Sequence, residues 1–252
     1  MKPKILGLFV IVAGIIAFTM AGQSQKSLPA SKQMAHRQRQ LPIVDSSEKQ
    51  STDENVLSKQ KAKANRYDRQ SSQPIEEAYL ISGRTWTTHW YKDLSALPFP
   101  QSDVVLIGGV MDAKAHLSND KTGIYSEFGV QVEEVLKNAT KDSVYPGKTV
   151  LLERFGGAVR FPSGVIQKYE TIGQGMPSVG QRYLFFLKRT DDTDYSIITG
   201  YQLDGEVVSP LDGAAVEEGH GVYPFDKYQG FDVLTFLQIV KTQATQKTSG
   251  SL

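Results

Sequence analysis

The sequence predicts a mainly β protein: a small closed antiparallel β-barrel with a C-terminal α-helix, preceded by an N-terminal apolar helix and a disordered linker. Three observations carry this. From Tyr79 onward, short apolar runs recur between turn signals of Gly, Pro and Asp, the spacing of an all-β barrel or sandwich. The runs carry marks of bulging and coiling, which favour closure into a barrel. No strand–helix alternation is visible, which argues against a parallel nucleotide-binding sheet.

The first element is the apolar run Ile5–Ala21 behind Lys2 and Lys4, an export signal over residues 1–22. It is longer than the roughly 7–15 residues of a signal core and just below the ~20 of a comfortable membrane span. Thr19 and Ala21 stand where small residues precede a cleavage site ahead of Gly22, so the segment reads equally as a cleaved signal or a retained membrane anchor. In both readings the chain beyond it is extracytoplasmic, either anchored in the cytoplasmic membrane facing out or secreted or periplasmic after cleavage. Residues 23–75 read as a disordered linker. Gln, Ser, Lys, Arg and Asp dominate, and Leu41, Ile43, Val44, Val56 and Leu57 are too few to offset the entropy of ordering. A helix over Ser51–Gln70 would be marginal in water on its own, and the basic cluster Lys59, Lys61, Lys63, Arg66 and Arg69 reads as a contact to an anionic surface or, more plainly, as solvated linker.

The domain proper spans 76–245. Ser102–Ala113 is a buried strand whose Gly108–Gly109 pair marks a bulge or bend. His116–Gly123 is a polar connection. In Ile124–Asn138, Ile124, Phe128, Val130 and Val132 face one side while Glu127, Gln131 and Glu133 face the other, and the phase slips at Glu134. Tyr145–Gly147 is a turn and Lys148–Gly157 a strand. Ala158–Glu170 is a strand pair around Pro162–Ser163–Gly164. Arg182–Arg189, Tyr195–Leu203 and Glu206–Pro210 complete the strands. In Gly230–Thr242, Phe231, Leu234, Leu237 and Val240 recur at helical spacing, an amphipathic helix placed to plug the sheet. Residues 246–252 are a polar tail.

Bulk chemistry removes several function classes. The formal net charge is +1, without the clustered Lys and Arg that nucleic acid requires. The chain has no cysteine, which excludes disulfides, thiol catalysis, Cys-type zinc sites and a lipid-modified cysteine after the signal. No cofactor is expected. "GQGMPSVG", Gly173–Gly180, is the densest glycine stretch, but it fits no phosphate-loop pattern, contains Pro177, and leads into a strand rather than a helix. It reads as a connector that sets the register of the following strand.

"SDVVLIGGV", "YSEFGVQVEEVLKN" and "VGQRYLFFL" resemble the strand pattern of netrin-like, tissue-inhibitor-of-metalloproteinase-like barrels of the OB-like class. "AHLSNDKTGIYSEF", "RFPSG" and "GQGMP" resemble a group of uncharacterised bacterial exported proteins. The resemblance covers roughly Gln101 to Asp212 and implies an exported barrel. The cysteine-dependent inhibition known for animal members does not carry over to a chain without cysteine.

Candidate site residues fall in three places. Asn119, Asp120 and Lys121 lie in the polar loop Ser118–Gly123, longer than a tight hairpin needs; binding function concentrates on such loops, although an ordinary solvated loop is the plainer reading. Trp86, His89 and Trp90 form an aromatic and basic stretch that reads as a binding surface or as an arm packed on the barrel. His220, beside Glu217 and Glu218, is the best local metal cluster, with a solvated turn as the plainer reading. No residue is singled out as catalytic or as a metal ligand. Adjacent Glu133 and Glu134 face opposite sides of a strand, so they do not act together. The expected function is a non-enzymatic exported module that binds a protein or envelope component, touching the membrane through its N-terminal segment if that is retained, with no nucleic-acid partner. The alternatives are an extracytoplasmic hydrolase or metal-dependent enzyme using His89, His116 or His220, and a structural spacer.

Overall fold

The structure, a computed structural model, describes residues 41–48, 52–78, 83–86, 90–141, 144–190, 194–213 and 223–249. The chain runs through β1 (Ile43–Asp45), α1 (Glu54–Ala64) with a short 3-10 turn at Asn65–Tyr67, β2 (Gly83–Trp86), β3 (Val104–Leu117), β4 (Ile124–Asn138), β5 (Thr149–Phe155), β6 (Gly157–Arg160), β7 (Ile166–Thr171), β8 (Arg182–Arg189), β9 (Asp194–Gln202), β10 (Ser209–Pro210), a 3-10 turn at Pro224–Tyr228, and α2 (Val233–Ser249). The fold is mainly β with a C-terminal helix. Among the described residues no helix is long and apolar enough to cross a membrane. The apolar segment Ile5–Ala21 lies outside them.

The centre is a closed ring of five strands. β3 pairs antiparallel with β4, β4 antiparallel with β5, and β5 parallel with β9; β9 and β8 then pair antiparallel, and β8 returns to β3. Alternation fixes what each face meets. Leu106, Phe128, Val130, Leu152, Phe185 and Ile197, drawn from all five strands, pack together inside the ring. Their neighbours Val105, Ile107, Leu184 and Phe186 point outward into a second apolar layer with Tyr201, Phe225 and Phe236.

The expected bulges are present. The β3–β4 register slips between Val105 and Leu106, between Ile107 and Gly108, and between Val110 and Asp112. Gly108 permits the close approach this needs, since a Cβ there would lie 2.6 Å from the Gln131 carbonyl oxygen. The slips let two long strands, Val104–Leu117 and Ile124–Asn138, bend around the ring. A smaller sheet, in the order β1-β6-β7-β2, flanks it. Val44, Ile75, Val159, Phe161 and Tyr169 of that side pack on Ala115 and Ile124.

Three expectations are corrected. The C-terminal helix starts later and extends to Ser249, into the stretch read as a polar tail, and its buried stripe is Val233, Phe236 and Val240 with Leu237 partly covered. Phe231 and Leu234 stay exposed, Leu234 at 73%. Asp232 sets this phase: its carboxylate accepts the Thr235 N–H at 2.8 Å, fixing the first turn so that Leu234 points away. The helix therefore covers the outward apolar layer of β3, β8 and β9 rather than plugging the ring. Second, 41–48 and 52–75 are not a disordered linker. They form β1 and, over 52–75, a strap that includes α1, held against the ring by polar contacts together with the buried Val44, Ala64 and Ile75. The remainder of the linker segment lies outside the described residues. Third, Glu127 does not face open solvent, since the strap covers it.

Candidate functional site: a strapped face of the ring

α1 begins where Asp53 accepts the N–H groups of Asn55 and Val56 at 2.9 and 3.3 Å, with Glu54 in the first turn and Lys61 and Lys63 in the last. Its sole buried residue is Ala64. A helix without an apolar stripe is not held by hydrophobic burial, and charge takes that role here. Lys63 Nζ donates to Glu127 Oε1 and lies 2.7 Å from Asp194 Oδ2. Arg66 Nη2 donates to Glu153 Oε2 at 2.6 Å. Glu127 and Glu153 are direct cross-strand neighbours on β4 and β5, and Asp194 opens β9 beside them. Between these ion pairs the Tyr67 ring stacks on Tyr125 with centroids 4.4 Å apart, and His116 stacks on the same tyrosine at 5.2 Å.

Burial and charge compete at each group. Desolvation works against the Lys63 ammonium, yet Asp194 and Glu127 hold its pKa above the usual lysine value. Burial alone would raise the Glu127 carboxyl, but His116 and Lys63 outweigh it and bring it down to about 2. At Glu153 burial wins and the pKa is raised, with Arg66 and Lys63 only partly offsetting it. Burial also pushes the hydroxyls of Tyr67 and Tyr125 up. His116 Nε2 sits 3.2 Å from Glu127 Oε2 but is buried and not aligned for a hydrogen bond.

The polar loop Ser118–Gly123 is the second anchor. Asn119 Nδ2 donates to the Lys61 carbonyl at 2.9 Å, capping the end of α1. The Asp120 carboxylate accepts from Arg69 N at 2.8 Å, and from Ser118 Oγ, Thr122 N and Thr122 Oγ1 at 2.8, 2.9 and 2.8 Å. Desolvation opposes its charge, but these donors together hold its pKa well below the usual carboxylate range. Its own N–H donates to Asp68 Oδ1 at 3.1 Å. Lys121 offers its carbonyl to Ile75 N at 2.7 Å and takes a left-handed backbone, φ 56°. At Gly123 an added Cβ would lie 2.2 Å from the Tyr67 carbonyl oxygen, so only glycine lets the strap pass this close. Beyond the loop, Arg84 donates to Ser71 Oγ and to the carbonyls of Gln73 and Pro74 at 2.6, 2.9 and 3.1 Å. Beside the strap lies a cleft of about 520 Å3 bordered by Lys61, Lys114, His116, Asn119, Lys121 and Tyr125.

The residues singled out from sequence are thus partly brought together. Asn119, Asp120 and Lys121 form a docking loop whose occupant is the chain's own strap. Trp86 joins the strap's border: its Nε1 donates to the Gln70 carbonyl at 3.2 Å, and its ring meets Phe155 edge-on at 4.8 Å. Trp90 belongs to a different aromatic group, stacked on Phe225 at 5.6 Å with its Nε1 3.3 Å from the Ile172 carbonyl. His89 and His220 lie outside the described residues, as do Glu217 and Glu218. Among the described residues no group of three or more His, Cys, Asp or Glu side chains is arranged to hold a metal ion. Glu133 and Glu134 diverge as expected, Glu133 to Arg182 at 2.6 Å and Glu134 to Lys241 at 2.8 Å.

Sequence reasoning missed Tyr67, Tyr125, Glu127, Glu153 and Asp194, and grouped Lys63 and Arg66 in a basic cluster without identifying the acids they meet. Two signals were available: Asp53 ahead of an eleven-residue polar helix, and the spacing Lys63, Arg66, Tyr67, which places two cations and a ring along one side of a helical segment.

The glycine loop is tied down separately. Arg154, fully buried, makes a bidentate pair with Asp212 at 2.7 and 2.9 Å and donates to the Gly175 and Ile198 carbonyls at 2.5 and 3.0 Å. Gly175 N donates to the same Asp212 at 2.7 Å. Its amides and carbonyls are engaged by the protein itself, as a connector requires. Compared with protein-family models and with curated proteins, the chain matches none.

Proposed function

We propose that this chain is an exported, non-enzymatic β-barrel module, held at the outer face of the cytoplasmic membrane or released, that binds another protein or an envelope component. In this reading the five-strand ring is an OB-like, netrin-like barrel, and the ordering of a partner segment on its outer face is its work. One observation carries the proposal. The face formed by β4, β5 and the Ser118–Gly123 loop already holds a peptide segment through side-chain ion pairs, an aromatic stack and backbone hydrogen bonds. Segment recognition on a rigid sheet uses these same contacts.

Two experiments test the two halves. Alkaline phosphatase joined after Ile75 becomes active only when exported; an inactive fusion would refute the extracytoplasmic placement. For binding, a photoreactive amino acid is placed at Met111, 59% exposed and outside the strap contacts, in chains expressed in their own cells. A discrete adduct, suppressed by excess purified chain, is expected. Its absence, both in the wild-type background and in a Lys63→Glu/Arg66→Glu background, would overturn the binding reading.

A further inference from the structure

We infer that the strap is a releasable internal competitor, and that its docking face accepts from a partner protein a helical segment carrying a Lys and an Arg three residues apart followed by an aromatic ring. This rests on the binding reading above and names the partner's chemistry. The occupant's chemistry is on the page, because the strap shows what fits. Lys63 reaches Glu127 and Asp194, Arg66 reaches Glu153, and Tyr67 lies flat on Tyr125. With the strap docked, Glu153 and Tyr125 are each 1% exposed.

The strap is also built to leave. A segment meant to stay buries many apolar side chains, whereas α1 buries only Ala64, and apart from Ile75 and the Tyr67 stack the strap's hold is ionic and polar. Eleven residues make a helix that is marginal when undocked, so release converts it to a disordered tether rather than a competing folded piece. An empty face would keep Glu127 and Glu153 as direct cross-strand neighbours with Asp194 beside them, without the Lys63 and Arg66 charges they meet when the strap is docked. That repulsion favours whichever cationic segment is present. The strap therefore lowers the apparent affinity for an incoming segment by the fraction of time it is docked, and a partner must outcompete it.

The test uses the full chain and a fluorescent peptide with the sequence Thr52–Ile75, read by anisotropy. Wild type, its own strap docked, binds the peptide weakly. Two variants release the strap by independent routes: Lys63→Glu/Arg66→Glu inverts its charges, and Gly123→Ala pushes on Tyr67 from the loop without touching a charge. Both are expected to bind the peptide at least about tenfold more tightly than wild type. Adding Glu127→Gln and Glu153→Gln to Gly123→Ala is expected to remove that gain, and a peptide with Glu at the positions of Lys63 and Arg66 is expected not to bind. Circular dichroism and the melting transition of the ring confirm folding of each variant. No gain in either folded variant, or equal binding of the charge-inverted peptide, would overturn the proposal. Dimers of a released variant that are dispersed by the peptide would also overturn it, by making a second copy the occupant. Persistence of the photo-adduct alongside a failed peptide experiment would leave the binding reading standing and reject only this one.

Discussion

Arg154 is one half of a fully buried ion pair. It comes from β5, enters a site where its side chain is 1% exposed, and meets an Asp212 carboxylate that is 0% exposed. Removing one member of such a pair leaves an uncompensated buried charge and costs about 3–5 kcal/mol. Asp212→Ala is therefore expected to lower the unfolding free energy by about that amount in urea titration, because Arg154 loses its carboxylate and Gly175 N its acceptor. Arg154→Met, which leaves Asp212 its Gly175 contact, should cost less than Asp212→Ala. The opposite ranking would show that the carboxylate, not the guanidinium, is the group the fold cannot leave unpaired. His116 Nε2 lies 3.2 Å from Glu127 Oε2 but off its hydrogen-bond line, while Lys63 donates to the other oxygen of the same carboxylate.

At the scale of one element, α2 separates what periodicity reveals from what it leaves open. Two stripes fit its sequence at helical spacing, Phe231/Leu234/Leu237/Val240 and Val233/Phe236/Val240, with Val240 common to both. Both are apolar, so the pattern alone does not choose between them. The choice falls to the Asp232–Thr235 cap and to the outward layer of Ile107, Phe186 and Tyr201, which receives Phe236. The two phases predict opposite mutants. Phe236→Ala should cost about 3–5 kcal/mol, as a buried aromatic truncation does. Leu234→Ala should stay within about 0.5 kcal/mol of wild type. Thermal melts of the pair settle the phase, and a Leu234→Ala cost equal to that of Phe236→Ala would return the helix to the other stripe.

Across the whole molecule, the strands of the ring were legible because each carries its own signal: β4 and β8 match their expected bounds, Ile124–Asn138 and Arg182–Arg189, and the β3 bulges sit at and around Gly108. The site was not legible, because its parts signal only in pairs. Glu127, Glu153 and Asp194 look like ordinary strand-surface acids, and Lys63 and Arg66 like solvated linker cations, until the ring places β4, β5 and β9 side by side. The consequence is a segment whose docking depends on pH while the core's does not. The Glu127 carboxyl is held at about 2 in the docked state against an ordinary 4.5, so its contribution is complete above about pH 4.5 and is lost as pH falls toward 2. Lys63 is raised above 10.5, so its contribution is complete below that value and is lost as pH rises through the raised one. Glu153 opposes the acid loss in part, since its raised pKa means that protonation relieves a buried charge. Amide hydrogen exchange at stepped pH is expected to show α1 losing protection between about pH 4.5 and 2 while β3 and β8, held by apolar packing, keep theirs. Glu127→Gln should weaken α1 protection already at pH 7 and flatten its acid dependence. Loss of α1 and the ring strands in one transition would mean that the strap is an integral part of the core rather than a segment docked by charge.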